Sequence, residues 1–251
     1  DRVGTFWVGT WYAGVSRVDL GSGGFARIVR RGPLPDTLAD NKARALLADG
    51  DKLWVGSGTA LNHIDPATGA TTVYRSDPHN PNSLAELPAN ALARERSGRL
   101  WIGSRTGLTS FDPATRRFER LALPGDADAN TVRALYATPD DAIWIATRGG
   151  LHRLDPATRS IEHWRHDPGR STSLADDIVR PMLLDRRGRM WIGTFDGLDL
   201  MDRASGRFRH FRHDPYDAAS LSHDEVHALF EDSRGDVWVG TAAVSYTHLT
   251  L

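Results

Sequence analysis

Apolar residues along this chain of 251 residues fall in runs of four to six, divided by turns rich in Gly, Pro and Asp. One stretch shows the scheme. Val132-Arg133-Ala134-Leu135-Tyr136 runs into a turn at Pro139-Asp140-Asp141, followed by Ala142-Ile143-Trp144-Ile145-Ala146-Thr147. A Gly149-Gly150 turn leads to Leu151-His152-Arg153-Leu154, and Asp155-Pro156-Ala157-Thr158 leads to Ile161-Glu162-His163-Trp164. Short β-branched and aromatic segments bounded by such turns are the pattern of hairpin strands. They are too short for helices, which average about 11 residues.

The scheme repeats. Trp7, Trp54, Trp101, Trp144, Trp191 and Trp238 are spaced by 47, 47, 43, 47 and 47 residues, each in a tetrad such as Trp54-Val55-Gly56-Ser57 or Trp191-Ile192-Gly193-Thr194. Asp-Pro-Ala-Thr recurs at 65–68, 112–115 and 155–158, with Asp202-Arg203-Ala204-Ser205 as a variant. Proline presets φ in such a turn, and the Asp carboxylate accepts the N–H two residues on. Gly98, Gly188 and Gly235 precede the tryptophan strands, where a turn needs positive φ. Four strands per unit, repeated, predict an all-β fold, a β-propeller of four-stranded blades. A blade is apolar on both faces, so the six tryptophans are read as structural residues packed between blades, each worth roughly 2–3 kcal/mol when buried.

Composition narrows the partners more than the fold. Lys+Arg 31 against Asp+Glu 32 gives a net charge of -1, which argues against nucleic acid or an anionic membrane surface. Lys42 and Lys52 are the only lysines, so 29 of the 31 basic residues are arginine, and a single arginine carries little signal. There is no cysteine, hence no disulfide and no thiolate metal site. No stretch approaches the ~18 consecutive apolar residues of a membrane helix, so no membrane contact is expected within this chain. No cofactor is expected.

The stretch Met190-Trp191-Ile192-Gly193-Thr194-Phe195-Asp196-Gly197-Leu198 resembles the two-component regulator propeller repeat. So does the linker Phe211-Arg212-His213-Asp214-Pro215 to Ser220-Leu221, with relatives at Asp77-Pro78 to Ser83-Leu84 and at His166-Asp167-Pro168 to Ser173-Leu174. The resemblance covers about residues 2–241. It implies a periplasmic sensor region of a membrane-anchored bacterial signalling protein, with a histidine kinase or diguanylate cyclase further along and a dimer as one arrangement. Related propellers close with seven blades. Four complete blades (about 41–77, 89–122, 130–167 and 177–214) and two partial ones therefore predict an open arc. Asp1 falls in mid-pattern and the chain ends in the sixth tryptophan strand, which reads as a fragment. Residues 1–243 are expected to form the partial propeller. The segment 244–251 leaves the repeat and is expected to be non-native.

Chemistry is sparse. Gly103-Ser104-Arg105-Thr106-Gly107 places its serine one position early for a hydrolase elbow. His163/His166 and His210/His213 are three apart, which on a strand points them to opposite faces and away from a shared metal. Asp126-Ala127-Asp128-Ala129-Asn130 opens like a calcium loop but has Thr131 at the sixth position and Ala137 at the twelfth. What varies while the frame stays fixed is a two-residue window after each tryptophan strand. It holds Trp11 and Tyr12, Gly58 and Thr59, Arg105 and Thr106, Arg148 and Gly149, Phe195 and Asp196. Propeller geometry places these turns on one face, around the central opening. Ordinary turn variation explains them. A rim for a polar or anionic small ligand such as a glycan fragment explains them too, with Trp11, Tyr12, Arg105, Arg148, Phe195 and Asp196 as the binding residues.

The favoured function is a non-catalytic sensing module for an unknown small molecule, glycan or protein partner. One alternative is an enzyme resembling streptogramin lyase, which needs a His or Glu cluster breaking the repeat near the axis, and none stands out. The other is a plain interaction scaffold.

Overall fold

The structure, a computed structural model, describes residues 5–10, 12–19, 25–29, 38–77, 79–80, 82–84, 88–243 and 246–249. Among them every regular element is a strand. The chain divides into two compact units, residues 1–122 and 123–251.

In the first unit β1 (Thr5–Gly9), β2 (Val15–Asp19) and β3 (Phe25–Ile28) form a three-stranded sheet. Two four-stranded sheets follow: β4 (Ala43–Asp49), β5 (Lys52–Ser57), β6 (Leu61–Ile64) and β7 (Thr71–Tyr74), then β8 (Ala91–Arg94), β9 (Leu100–Gly103), β10 (Leu108–Asp112) and β11 (Arg117–Leu121). The second unit repeats the plan. β12 (Val132–Ala137), β13 (Ile143–Thr147), β14 (Leu151–Leu154) and β15 (Ile161–Trp164) make one sheet. β16 (Val179–Leu184), β17 (Met190–Thr194), β18 (Gly197–Asp202) and β19 (Arg207–Phe211) make the next. β20 (Val226–Glu231), β21 (Val237–Thr241) and β22 (Tyr246–Leu249) close the series. The four complete blades and two partial ones are those expected, with one correction. The sixth tryptophan strand is not the last, because the backbone of β22 pairs with β21 through Tyr246↔Gly240 to Leu249↔Val237.

Where a unit has a next sheet, the tryptophan packs on it. Trp54 meets Leu92, Leu100, Ile102 and Phe111. Trp144 meets Met182, Met190, Ile192 and Met201, and Trp191 meets Val226, Val237 and Val239. These three and Trp101 are buried. The outer two depart from the expectation. Trp7 is half-buried against Leu53, Val55 and Ile64, and Trp238 is 39% exposed because no further sheet of its unit covers β20–β22.

The turns follow the predicted chemistry. Asp155 Oδ1 accepts the N–H of Ala157 at 2.8 Å, and Asp202 Oδ1 that of Ala204 at 3.0 Å. Fifteen residues after Trp54, Trp101, Trp144 and Trp191 the turn needs positive φ. Gly69 and Gly206 supply it freely, while Arg116 and Arg159 adopt 56° and 61°. In the linkers, Ser173 Oγ takes the Asp167 N–H at 2.9 Å and donates to the Asp167 carbonyl at 3.1 Å. Ser83 and Ser220 do the same for Asp77 and Asp214, and Leu84, Leu174 and Leu221 are buried beside them. The Asp-Pro to Ser-Leu motif is thus a closed loop with an apolar anchor.

In three sheets a buried polar residue eight positions after the tryptophan fastens the segment that enters the sheet. Asn62 Oδ1 accepts the Ala39 N–H at 3.0 Å, Asp199 Oδ2 accepts that of Ala175 at 2.8 Å, and His152 Nε2 donates to the Pro124 carbonyl at 3.1 Å.

Candidate functional site

In four of the six sheets the first strand is where the repeat departs from regular pairing. Val132 pairs with Thr147, and the register then slips before Ala134 pairs with Ala146. The same slip lies between Ala43 and Ala45, Val179 and Met182, and Val226 and Ala228. Each starts from a buried residue, so the bulge is held by packing on its near side. A bulge re-aims the side chain it carries, and such features cluster at the rims of barrels and beside functional sites. The bulged positions hold Arg44 in the first unit and Arg133, Arg180 (with Pro181) and His227 in the second. β8 lacks the slip; there Ala91 pairs directly with Gly103.

In the second unit the turns after β13 and β17 lie at the same end of the strands as these bulges. Arg180 Cζ sits 4.3 Å from the Phe195 ring centroid. Its Nη1 donates to His227 Nδ1 at 2.7 Å and lies 3.3 Å from Glu225 Oε1. Glu225 Oε1 is also 3.3 Å from His227 Nε2. Around this cluster the charges are matched. Arg148 Nε is 3.3 Å from Asp128, Arg212 Nη2 donates to Asp196 Oδ2 at 2.7 Å, and Arg165 bridges Asp126 and Asp177.

The structure therefore joins Phe195 to Arg180, Asp196 to Arg212 and Arg148 to Asp128. In the first unit Tyr12 is exposed with Lys42 Nζ 5.7 Å from its ring centroid, and Arg105 is exposed in its turn. Trp11 lies outside the described residues. Arg133, Arg180, Glu225 and His227 went unread in the sequence. The signal was there: Arg133, Arg180 and His227 each stand 11 residues before a tryptophan. Only the hydrogen-bond register shows that this position is bulged. His227 does break an arginine series, with Glu225 beside it.

The other motifs resolve as structure. Ser104 Oγ donates to the Gly107 carbonyl at 3.1 Å, as Thr147 and Thr194 do to Gly150 and Gly197, so it closes a turn. His166 and His213 donate from Nδ1 to the linker carbonyls of Leu174 and Leu221, at 2.8 and 2.6 Å. Asp126 accepts the Ala129 N–H at 3.0 Å and faces Arg165, which leaves no open calcium shell. Among the described residues no three His, Asp or Glu side chains are grouped to hold a metal, and no helix is long and apolar enough to cross a membrane. A cleft of about 510 Å³ lies at the other end of the strands, around the β18–β19 turn; Arg189 and Arg203 on its wall are held by Asp185 and Asp140.

Two pairs under the rim differ in charge. His152 is fully buried and stacks on His163 with centroids 3.9 Å apart; burial, then the neighbouring imidazole, push its pKa down to about 4. In the next sheet His210 donates from Nδ1 to Asp199 at 2.6 Å and from Nε2 to Ser171 at 2.9 Å. Two donated bonds define an imidazolium, and the bond to Asp199 raises its pKa. Burial pushes the Asp199 carboxyl up in turn.

The family model described as two component regulator propeller matches residues 173–196 and 220–243, each running from the linker serine through the tryptophan turn. No curated protein matches the chain. Among solved structures, the extracellular domain assigned to hybrid two component system BT3049 of B. thetaiotaomicron superposes with a TM-score of 0.83 at 22% identity, over 98% of this chain and 32% of that one. The extracellular domain assigned to BT4673 of the same organism gives 0.76 at 22%, over 94% and 30%. Virginiamycin B lyase from Staphylococcus aureus gives 0.74 at 15%, over 100% and 79%. Two stretches of the chain thus match the two component regulator propeller repeat, its fold is that of a β-propeller, and it spans about a third of the two extracellular domains.

Proposed function

We propose that the chain is the ligand-sensing part of an extracytoplasmic propeller in a membrane-anchored bacterial signalling protein, without catalysis of its own. The ligand face is the rim formed by the bulged first strands of the second unit. The observation that carries this reading is Arg180, turned out by its bulge onto Phe195 and flanked by Glu225 and His227. A flat aromatic–guanidinium surface beside paired acids and bases offers stacking, donors and acceptors with little net charge. That suits a polyhydroxylated ligand such as a glycan fragment better than a bare anion, since Arg148, Arg180 and Arg212 each already face a carboxylate. The similarity to extracellular domains of two component systems supports the location and the sensing role.

The test is a thermal-shift screen of the chain against a panel of oligosaccharides. A ligand at 100 times its Kd stabilises the fold by about 2.7 kcal/mol. Arg180→Ala with Phe195→Ala should abolish that shift while leaving the ligand-free melting temperature in place. A panel without binders, or binding untouched by the double variant, rejects the assignment.

His227 with Glu225 favours one second reading, a lyase-like propeller. Incubating the chain with quinupristin, the ligand of an inactivated virginiamycin B lyase structure, decides it: turnover lost in His227→Ala would establish the enzyme.

A further inference from the structure

We propose that His227 is a positioning residue that holds Arg180 as a proton-operated latch, so that acid releases Arg180 from the rim cluster. This rests on the reading of that rim as the ligand face, and it adds regulation to it. Arg180 has only N–H donors, so a 2.7 Å contact from its Nη1 requires His227 Nδ1 to be an unprotonated acceptor. His227 is therefore the neutral tautomer with its proton on Nε2, the nitrogen that faces Glu225 Oε1 at 3.3 Å. Histidine is the side chain whose charge ordinarily changes between pH 5 and 8.

A second proton must go to Nδ1, where it would point at the Arg180 donor. The Arg180–His227 bond is then lost, and the two cations compete for Glu225. The imidazolium keeps its Nε2 proton directed at that carboxylate, whereas Arg180 retains the Phe195 ring and swings free at Nη1. Acid thus frees one guanidinium donor for an oxygen of a ligand.

The charged surroundings are few. β16 contributes Arg180, and the segment before β20 contributes Glu225 and His223, whose Nδ1 accepts the Glu225 N–H at 3.0 Å. The neighbouring β17 (Met190–Thr194) and β21 (Val237–Thr241) bring no charged residue. Arginine occupies the matching bulge in β12 and β16, so the device sits where the repeat changes residue type.

The test needs no ligand, which separates its outcome from that of the rim reading. Long-range 1H–15N NMR of the chain at pH 7.5 reports the His227 tautomer, and a titration to pH 5 follows the Arg180 side-chain Nε–H signal. The expected result is an Nε2–H tautomer and an Arg180 signal that shifts with the His227 midpoint. In His227→Asn, whose amide oxygen accepts without titrating, the Arg180 signal should stay fixed across the range. An Nδ1–H tautomer at pH 7.5 overturns the proposal. So does an Arg180 signal that stays still while His227 titrates, or one that moves equally in His227→Asn.

Discussion

The sheets β12–β15 and β16–β19 share one backbone plan, yet they satisfy their buried polar groups differently. In the second, Trp191 Nε1 donates to Asp185 at 3.0 Å, Asp199 is bonded to both Ala175 and His210, and the positive-φ turn position is Gly206. In the first, buried Trp144 Nε1 and His152 Nδ1 have no protein partner, and the same turn position is Arg159. A repeat fixes where a polar group is buried without fixing how it is satisfied. The β12–β15 sheet should therefore be the weaker one, and the difference can be probed position by position.

The largest effect is expected at Asp199. Asp199→Ala strands the buried Ala175 N–H and leaves the His210 imidazolium without its counter-charge, and should cost about 3–5 kcal/mol in urea unfolding at pH 6. The penalty has a pH signature. The raised folded pKa of His210 means that its proton contributes fully below the ordinary imidazole range, down to where Asp199 itself takes up a proton, and that this contribution is lost as pH rises through the folded value. Repeating the measurement at pH 9 should give a smaller loss; an equal loss would show that the pair is not ionic.

His152 works in the opposite direction. Its folded pKa of about 4 keeps it neutral, so the unfolded chain takes up the proton first as pH falls below the ordinary imidazole value. Stability should drop by about 3 kcal/mol between neutral pH and pH 4 from this residue. His152→Asn, the residue type that β6 uses at Asn62, should remove that share of the acid sensitivity; an unchanged pH profile would refute the assignment.

Smaller differences test the other two contrasts. Trp191→Phe deprives Asp185 of a donor and Trp144→Phe deprives no acceptor, so the former should cost about 1–2 kcal/mol more by denaturant midpoint. Arg159→Gly should raise stability by about 1 kcal/mol, since glycine takes positive φ freely. Gly206→Arg should lose more than that, because a Cβ there would lie 2.9 Å from Trp164 Nε1. Equal and opposite effects would mean that the turn conformation alone decides.

The frame was legible in the sequence because it rests on residue identity at fixed spacing. The tryptophan tetrads, the Asp-Pro-Ala-Thr turns and the Ser-Leu linkers each mark a local constraint that only a few residue types satisfy. The site was legible in part. Phe195, Asp196 and Arg148 stand out as changes in a constant turn, but their partners do not, since Arg180 comes from β16, Arg212 from just after β19 and Asp128 from the segment before β12. The bulges were hidden because a register slip leaves composition and period untouched. The clasp at Asn62, His152 and Asp199 was hidden because four chemistries fill one position, Thr109 being the fourth, and no shared letter marks it.

The central claim is that a ligand docks on the bulged rim of β12, β16 and β20 and not at the cleft around the β18–β19 turn. The most direct measurement is an NMR footprint on the isotope-labelled chain of any oligosaccharide that stabilises it. The account predicts that the largest shifts fall on Arg180, Phe195 and His227, with Arg203 and Arg207 unmoved. Shifts centred on Arg203 and Arg207, with the rim silent, would contradict it.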